Sequence, residues 1–123
     1  MSKILMIDDD ADFSALASAH FTRLGYAVTL APNGKDGLAK ARALKPDVVF
    51  LDIMMPEMNG IEVLRELKAA DETAEVPVIV MSGKYMDRGM TDLFAQEGNF
   101  KAFFAKPVVL AQLQKKVEEL VKK

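Results

Sequence analysis

Ile4-Leu5-Met6-Ile7-Asp8-Asp9-Asp10 runs through four apolar residues and breaks off at three successive aspartates. Two later stretches share that design. Val48-Val49-Phe50-Leu51-Asp52 ends its apolar run at an acid, and Phe103-Phe104-Ala105-Lys106-Pro107 ends at a lysine. Short apolar runs bounded in this way read as buried strands. If such strands are parallel neighbours, their terminal charges collect at one edge of a sheet. Carboxylates gathered there repel: two unit charges ~4 Å apart cost about 4 kcal/mol at an effective dielectric of ~20. A fold that keeps such a cluster puts positive charge in it, and the candidates are a divalent cation and Lys106.

Working outward, strand-like runs alternate with helical patterns along the whole chain. The runs are Ile4–Ile7, Tyr26–Leu30, Val48–Leu51, Val76–Met81 and Ala102–Ala105. Between them apolar residues recur at helical spacing. The first helix is expected to carry Phe13, Leu16, Ala17, Phe21 and Leu24 on one stripe, with Gly25 as its stop. The second spans about Gly34 to Leu44, with Asn33 as N-cap and Pro46 beyond its end. A third carries Ile61, Val63, Leu64 and Leu67, a fourth Met86, Met90, Leu93 and Phe94. The last uses Leu110, Leu113, Val117, Leu120 and Val121. Strict alternation predicts an α/β fold with a doubly wound, five-stranded parallel sheet; right-handed crossovers limit the strand orders, of which 2-1-3-4-5, the flavodoxin-like (βα)5 order, is a common one. In that order strands one and three are adjacent where the chain reverses, and ligands bind at the carboxyl ends of strands at such a point. Asp8, Asp9 and Asp52 belong there.

The totals narrow the function. A chain of 123 residues, 50% hydrophobic, is expected to form one domain over residues 1–123. A formal charge of -2 gives no support to a nucleic-acid-binding face. Cysteine is absent, which excludes disulfides and thiolate metal sites. The N-terminal apolar run meets aspartates too soon for a secretory signal, and no stretch approaches the ~20 apolar residues of a membrane span. A cytoplasmic protein without direct nucleic-acid or membrane contact is the expectation.

An acidic pair after strand one, an aspartate after strand three, a serine after strand four and Lys-Pro after strand five form one ordered set. Asp8-Asp9, Asp52, Ser82 and Lys106-Pro107 fill it. With these residues, and with the loop Asp52-Ile53-Met54-Met55-Pro56-Glu57-Met58-Asn59-Gly60, the chain resembles a response-regulator receiver domain of two-component signalling over its whole length. The resemblance implies that Asp52 accepts a phosphoryl group from a sensor histidine kinase or a histidine-phosphotransfer protein. It implies that Asp9, Asp52 and the Met54 backbone carbonyl ligate Mg²⁺, with Mn²⁺ a possible substitute, and that Asp8 acts mainly through bound water. Magnesium suits such an all-oxygen site because it keeps several waters. Lys106 would pair with Asp52 and then with the phosphoryl group, and Pro107 is the cis-peptide candidate that aims it inward. Asp10 matches the family's frequent but non-essential third acid. The protein would not be a conventional enzyme, because it would catalyse only its own phosphorylation and dephosphorylation.

The resemblance also implies a switch. Ser82 would donate to a phosphoryl oxygen, and Phe103 would turn inward as that hydroxyl moves; Phe104, on the opposite side of the strand, reads as core. The implied output surface for a downstream protein is the fourth helix, fifth strand and fifth helix. Gly89, within the fourth helical pattern, costs up to ~1 kcal/mol relative to Ala and makes that helix a credible moving part. Met54 and Lys84, two positions past Asp52 and Ser82, would flank the phosphoryl group and tune its hydrolysis. The chain departs from the family at Gly98-Asn99-Phe100-Lys101-Ala102, a longer approach to strand five, and at Gly83, where alanine is frequent.

Plainer readings stand beside these. Asp8 and Asp9 as helix caps, Asp52 as a strand end, Lys106 as a surface lysine, Ser82 as a turn cap and Phe103 as core need no ligand. His20 reads as a half-buried structural residue, and the eight methionines as packing. Glu118 and Lys122 stand at supportive i,i+4 spacing. A receiver cut from a longer regulator or hybrid kinase is the nearest rival. A metal-dependent phosphohydrolase of the haloacid-dehalogenase kind lacks its second acid, since Met54 stands there. A flavin-binding electron carrier lacks a Ser/Thr/Gly-rich phosphate loop, because acids follow strand one.

Overall fold

Strands and helices alternate from β1 to β4 in the computed structural model, which describes residues 2–52, 60–82, 100–105 and 108–121. Strands β1 (Lys3–Ile7), β2 (Ala27–Ala31), β3 (Val48–Asp52), β4 (Val78–Ser82) and β5 (Phe100–Ala105) form one parallel sheet in the order β2-β1-β3-β4-β5. This is the predicted order. Helices α1 (Ala11–Arg23), α2 (Gly34–Leu44) and α3 (Gly60–Ala69), and a last helix Leu110–Val121, supply the crossovers and flanks. The helical pattern over 86–94, Gly89 included, lies outside the described residues.

Alternation along each strand divides the core into two layers, as strands buried on both faces require. Leu5, Ile7, Val49, Leu51, Val78 and Val80 pack on Leu38 and Ala41 of α2 and on Val63, Leu64 and Leu67 of α3. Ile4, Met6, Val48, Phe50, Ile79 and Met81 face the other way, against Ala17 and Phe21 of α1 and Leu113 and Val117 of the last helix. Phe103 joins the first layer and Phe104 the second, so the two side chains take the opposite faces expected of them.

Local chemistry sets the element ends. Asn33 Oδ1 accepts from the Asp36 backbone N–H at 2.8 Å, capping α2 as its sequence predicts. Gly25 follows α1 at φ 99°, a conformation that costs glycine little. Pro77 has no N–H to give the ladder, and β4 begins after it at Val78. Gly98 and Asn99 of the approach to β5 lie outside the described residues, and the start of β5 carries a bulge. Val78 pairs with Phe100 but Ile79 with Ala102, leaving Lys101 as the extra residue.

One expectation fails. Leu16 and Leu24 do not lie on the buried stripe of α1; they are 60% and 45% exposed. The buried face runs through Ser14, Ala17 and Phe21 instead. Spacing gives a helix its period, but the partner surface sets its phase, and Phe21 locks that phase by packing on Phe50 at 5.4 Å between ring centroids.

Candidate functional site

β1 and β3 are hydrogen-bonded neighbours, with Ile7 opposite Leu51. The next residue on each strand is an aspartate, so Asp8 and Asp52 leave the sheet side by side. Asp9 follows one step later. One carboxylate oxygen from each of Asp8, Asp9 and Asp52 lies within 4.8 Å of the others. Asp8 and Asp52 are 4% and 5% exposed, whereas Asp9 is open to solvent. Two buried carboxylates and an exposed third form a recess that faces outward through Asp9.

The three consecutive acids divide their work. Asp8 is held by its backbone N–H, which donates to the Ala31 carbonyl at 3.0 Å, and its Oδ1 accepts from the Asp10 N–H at 2.9 Å. Asp10 is the N-cap of α1, and its Oδ1 accepts from the Phe13 N–H at 3.1 Å. The capping reading therefore applies to Asp10 and not to Asp8 or Asp9.

The donor set is all oxygen, which suits a hard divalent cation such as Mg²⁺. Carboxylate oxygens gathered within 4.8 Å fit the oxygen ligation of such a cation. Ser82 ends β4 at 1% exposure, and Met81 before it pairs with Asp52. Phe103 is half-buried on β5, opposite Val80. Met54, Lys84, Lys106 and Pro107 lie outside the described residues.

Other candidates take structural roles. The His20 imidazole is half-buried, with Nε2 2.9 Å from Gln114 Oε1, and ties α1 to the last helix. Gln114 Nε2 donates to Glu118 Oε2 at 3.1 Å, and Lys122, the expected i,i+4 neighbour of Glu118, lies outside the described residues. Burial, and secondarily the Glu118 carboxylate, pushes the Tyr26 phenol above its ordinary 10.0. A cleft of about 560 Å³ lies at the opposite end of the strands, lined by Asp47, Asp71, Glu72 and Glu75 among others. It contains none of the converging carboxylates. One residue beside the acids was missed from sequence: Ser14, which is 5% exposed. Its signal was the i,i+3 and i,i+7 spacing to Ala17 and Phe21.

A five-stranded parallel sheet of this order, with acids at the carboxyl ends of β1 and β3, defines a receiver-type α/β domain. The response regulator receiver domain family matches residues 4–118, and the chain belongs to that family. Protein PilH of Pseudomonas aeruginosa is 36% identical over 108 residues, covering 88% of each chain. Other relatives are transcriptional regulators such as PrrA of Mycobacterium leprae, 33% identical over 122 residues, of which this chain spans about half the length. Among solved structures, the chemotaxis protein CheY4 of Vibrio cholerae superposes with a TM-score of 0.90 at 24% identity, covering 98% of this chain and 99% of that one. The receiver domain of a sensor histidine kinase from Pseudomonas aeruginosa superposes with a TM-score of 0.87 at 25% identity, covering 99% and 98%. It holds a magnesium ion coordinated in its active site cleft. No described helix is long and apolar enough to cross a membrane.

Proposed function

We propose that this chain is a phosphorylatable receiver in which Asp52 accepts a phosphoryl group from a histidine kinase or histidine-phosphotransfer protein. The observation that carries the reading is the convergence of Asp8, Asp9 and Asp52 within 4.8 Å, two of them buried. An Asp52 carboxylate oxygen attacks the phosphorus of an N-phosphorylated imidazole. The P–O bond forms as the P–N bond breaks, and the departing imidazole nitrogen takes a proton. Asp9, Asp52 and the Met54 carbonyl would hold a cation, Mg²⁺ or Mn²⁺ as a substitute, with Asp8 acting mainly through bound water. When bound, Mg²⁺ offsets the carboxylate charge and the charge on the phosphoryl oxygens.

Lys106 answers the charge left on the phosphorylated side chain, which is roughly -1.5 to -2. The Ser82 hydroxyl donates to a phosphoryl oxygen and draws its loop toward Asp52. Phe103 follows into the vacated space, and this changes the surface formed by the fourth helix, β5 and the last helix. A downstream protein reads that surface. Met54 and Lys84 tune attack by water on the phosphoaspartate. The chain turns over no foreign substrate and works in the cytoplasm.

Intact-mass measurement after exposure to a small acyl phosphate tests the reading. Wild type gains one phosphoryl group with Mg²⁺ and none with chelator, and Asp52→Asn gains none in either. Labelling of Asp52→Asn equal to wild type would overturn it. Multiple turnover of phosphate esters would favour a phosphohydrolase.

A further inference from the structure

β2 is an edge of the sheet: among the described residues it has β1 beside it and no strand on its other side. Its register fixes where each backbone group points. In a parallel ladder alternate residues turn both N–H and C=O toward the same neighbour. The Ala27 N–H donates to the Ser2 carbonyl at 2.9 Å, and the Ala31 carbonyl accepts from the Asp8 N–H at 3.0 Å. Ala27, Thr29 and Ala31 therefore face β1, and the N–H and C=O groups of Val28 and Leu30 point away from the sheet. Among the described residues one of these outward groups has a partner. The Leu30 carbonyl accepts from Lys40 Nζ of α2 at 2.7 Å. Asp36 stands one turn before Lys40, at a spacing that favours an ion pair on a helix surface. No ion pair joins them among the described residues, and the lysine serves the strand instead.

An open strand edge is a template for another strand. The run Tyr26-Ala27-Val28-Thr29-Leu30-Ala31 carries no charge, proline or glycine, which is the composition that pairs edge to edge. β2 also keeps an unbroken register with β1, whereas the opposite edge strand, β5, is interrupted by its bulge at Lys101.

We propose that Lys40 guards the open edge of β2, holding the Leu30 carbonyl so that a second copy of this chain adds no strand there. Antiparallel pairing of β2 with the β2 of a second copy sets Val28 opposite Leu30, and residues so paired exchange N–H and C=O. The Leu30 carbonyl of each copy must then accept from the Val28 N–H of the other. In each copy a Lys40 ammonium already holds that oxygen. Pairing either displaces a charge-assisted hydrogen bond in both copies or crowds their like charges into one seam, and both oppose it. The inference does not rest on the reading of the acidic recess.

Sedimentation of the full chain over a range of concentrations tests this, with wild type, Lys40→Met and Lys40→Arg, beside amide hydrogen exchange at low and high concentration. Methionine matches lysine in length and helix propensity, so the fold is retained. Lys40→Met is expected to self-associate about tenfold or more tightly than wild type, because a charge-assisted bond no longer has to be displaced. Its Val28 and Leu30 amides should gain protection as concentration rises, while those of Ala27, Thr29 and Ala31, already bonded to β1, change little. Lys40→Arg keeps a charged donor and should associate as weakly as wild type. A Lys40→Met protein that associates no more tightly than wild type overturns the inference. So does tighter association that leaves the Val28 and Leu30 amides unprotected, since the seam then lies elsewhere. Association of Lys40→Arg as tight as that of Lys40→Met overturns it as well.

Discussion

Asp8, Asp9 and Asp10 are identical side chains in succession, and the backbone gives each a different task. Asp8 is buried and held by two backbone bonds, Asp9 faces solvent in the cation recess, and Asp10 caps α1. The bond that Asp10 gives Asp8 comes from its backbone N–H, so it survives truncation of the Asp10 side chain. Asp10→Ala should therefore cost ~1 kcal/mol of stability through the lost cap while leaving Mg²⁺ affinity close to wild type. Asp9→Ala should do the opposite, losing Mg²⁺ binding without loss of stability. Urea unfolding and Mg²⁺ titration of the two variants check the division, and a large affinity loss in Asp10→Ala would contradict it.

Among elements, α2 is seated on β1 with no room for a side chain at Gly37. A Cβ built on Gly37 would stand 2.5 Å from Ile7 Cδ1, 2.6 Å from Cγ1 and 3.0 Å from Cγ2. Ile7 is fully buried and immediately precedes Asp8, so pressure on it reaches the site. Alanine gains up to ~1 kcal/mol of helix propensity over glycine, but overpacking a filled core costs about 1–3 kcal/mol. Gly37→Ala is expected to lose stability on balance. Combining it with Ile7→Val, which removes Cδ1, should cost less than the sum of the two single changes. Additive losses in a double-mutant cycle by denaturant unfolding would place the strain elsewhere. At the other side of the sheet, the bulge at Lys101 takes up the extra residue within β5 and leaves Val80 opposite Phe103 and Ser82 opposite Ala105.

For the molecule as a whole, the recess couples stability to the cation. Three like charges within 4.8 Å oppose the folded state, in which alone they are brought together. A ligand that binds only the folded chain adds RT ln(1 + [L]/Kd), about 2.7 kcal/mol at a hundredfold excess over Kd. Mg²⁺ should raise the unfolding temperature of wild type. Asp9→Asn should start higher in chelator and respond less to Mg²⁺. Scanning calorimetry of both proteins with and without the ion reads the two effects, and an equal Mg²⁺ response would remove Asp9 from the cation site.

Sequence alone determined the five strands and, once the common order of the sheet is taken, the meeting of Asp8, Asp9 and Asp52, because buried parallel strands write themselves as apolar runs. A charge that ends such a run must emerge at the sheet edge. Tertiary packing decided what periodicity leaves open. The phase of α1 turned Leu16 outward and Ser14 inward, since a helix repeats every 3.6 residues whatever it faces and only the surface of Phe50 and its neighbours selects the buried side. The assignment of the cap to Asp10, and of burial to Asp8 and not Asp9, likewise depended on where β1 stops pairing and where α1 takes its first turn. Those points are set by the neighbouring strand, and the residue types in the run do not encode them.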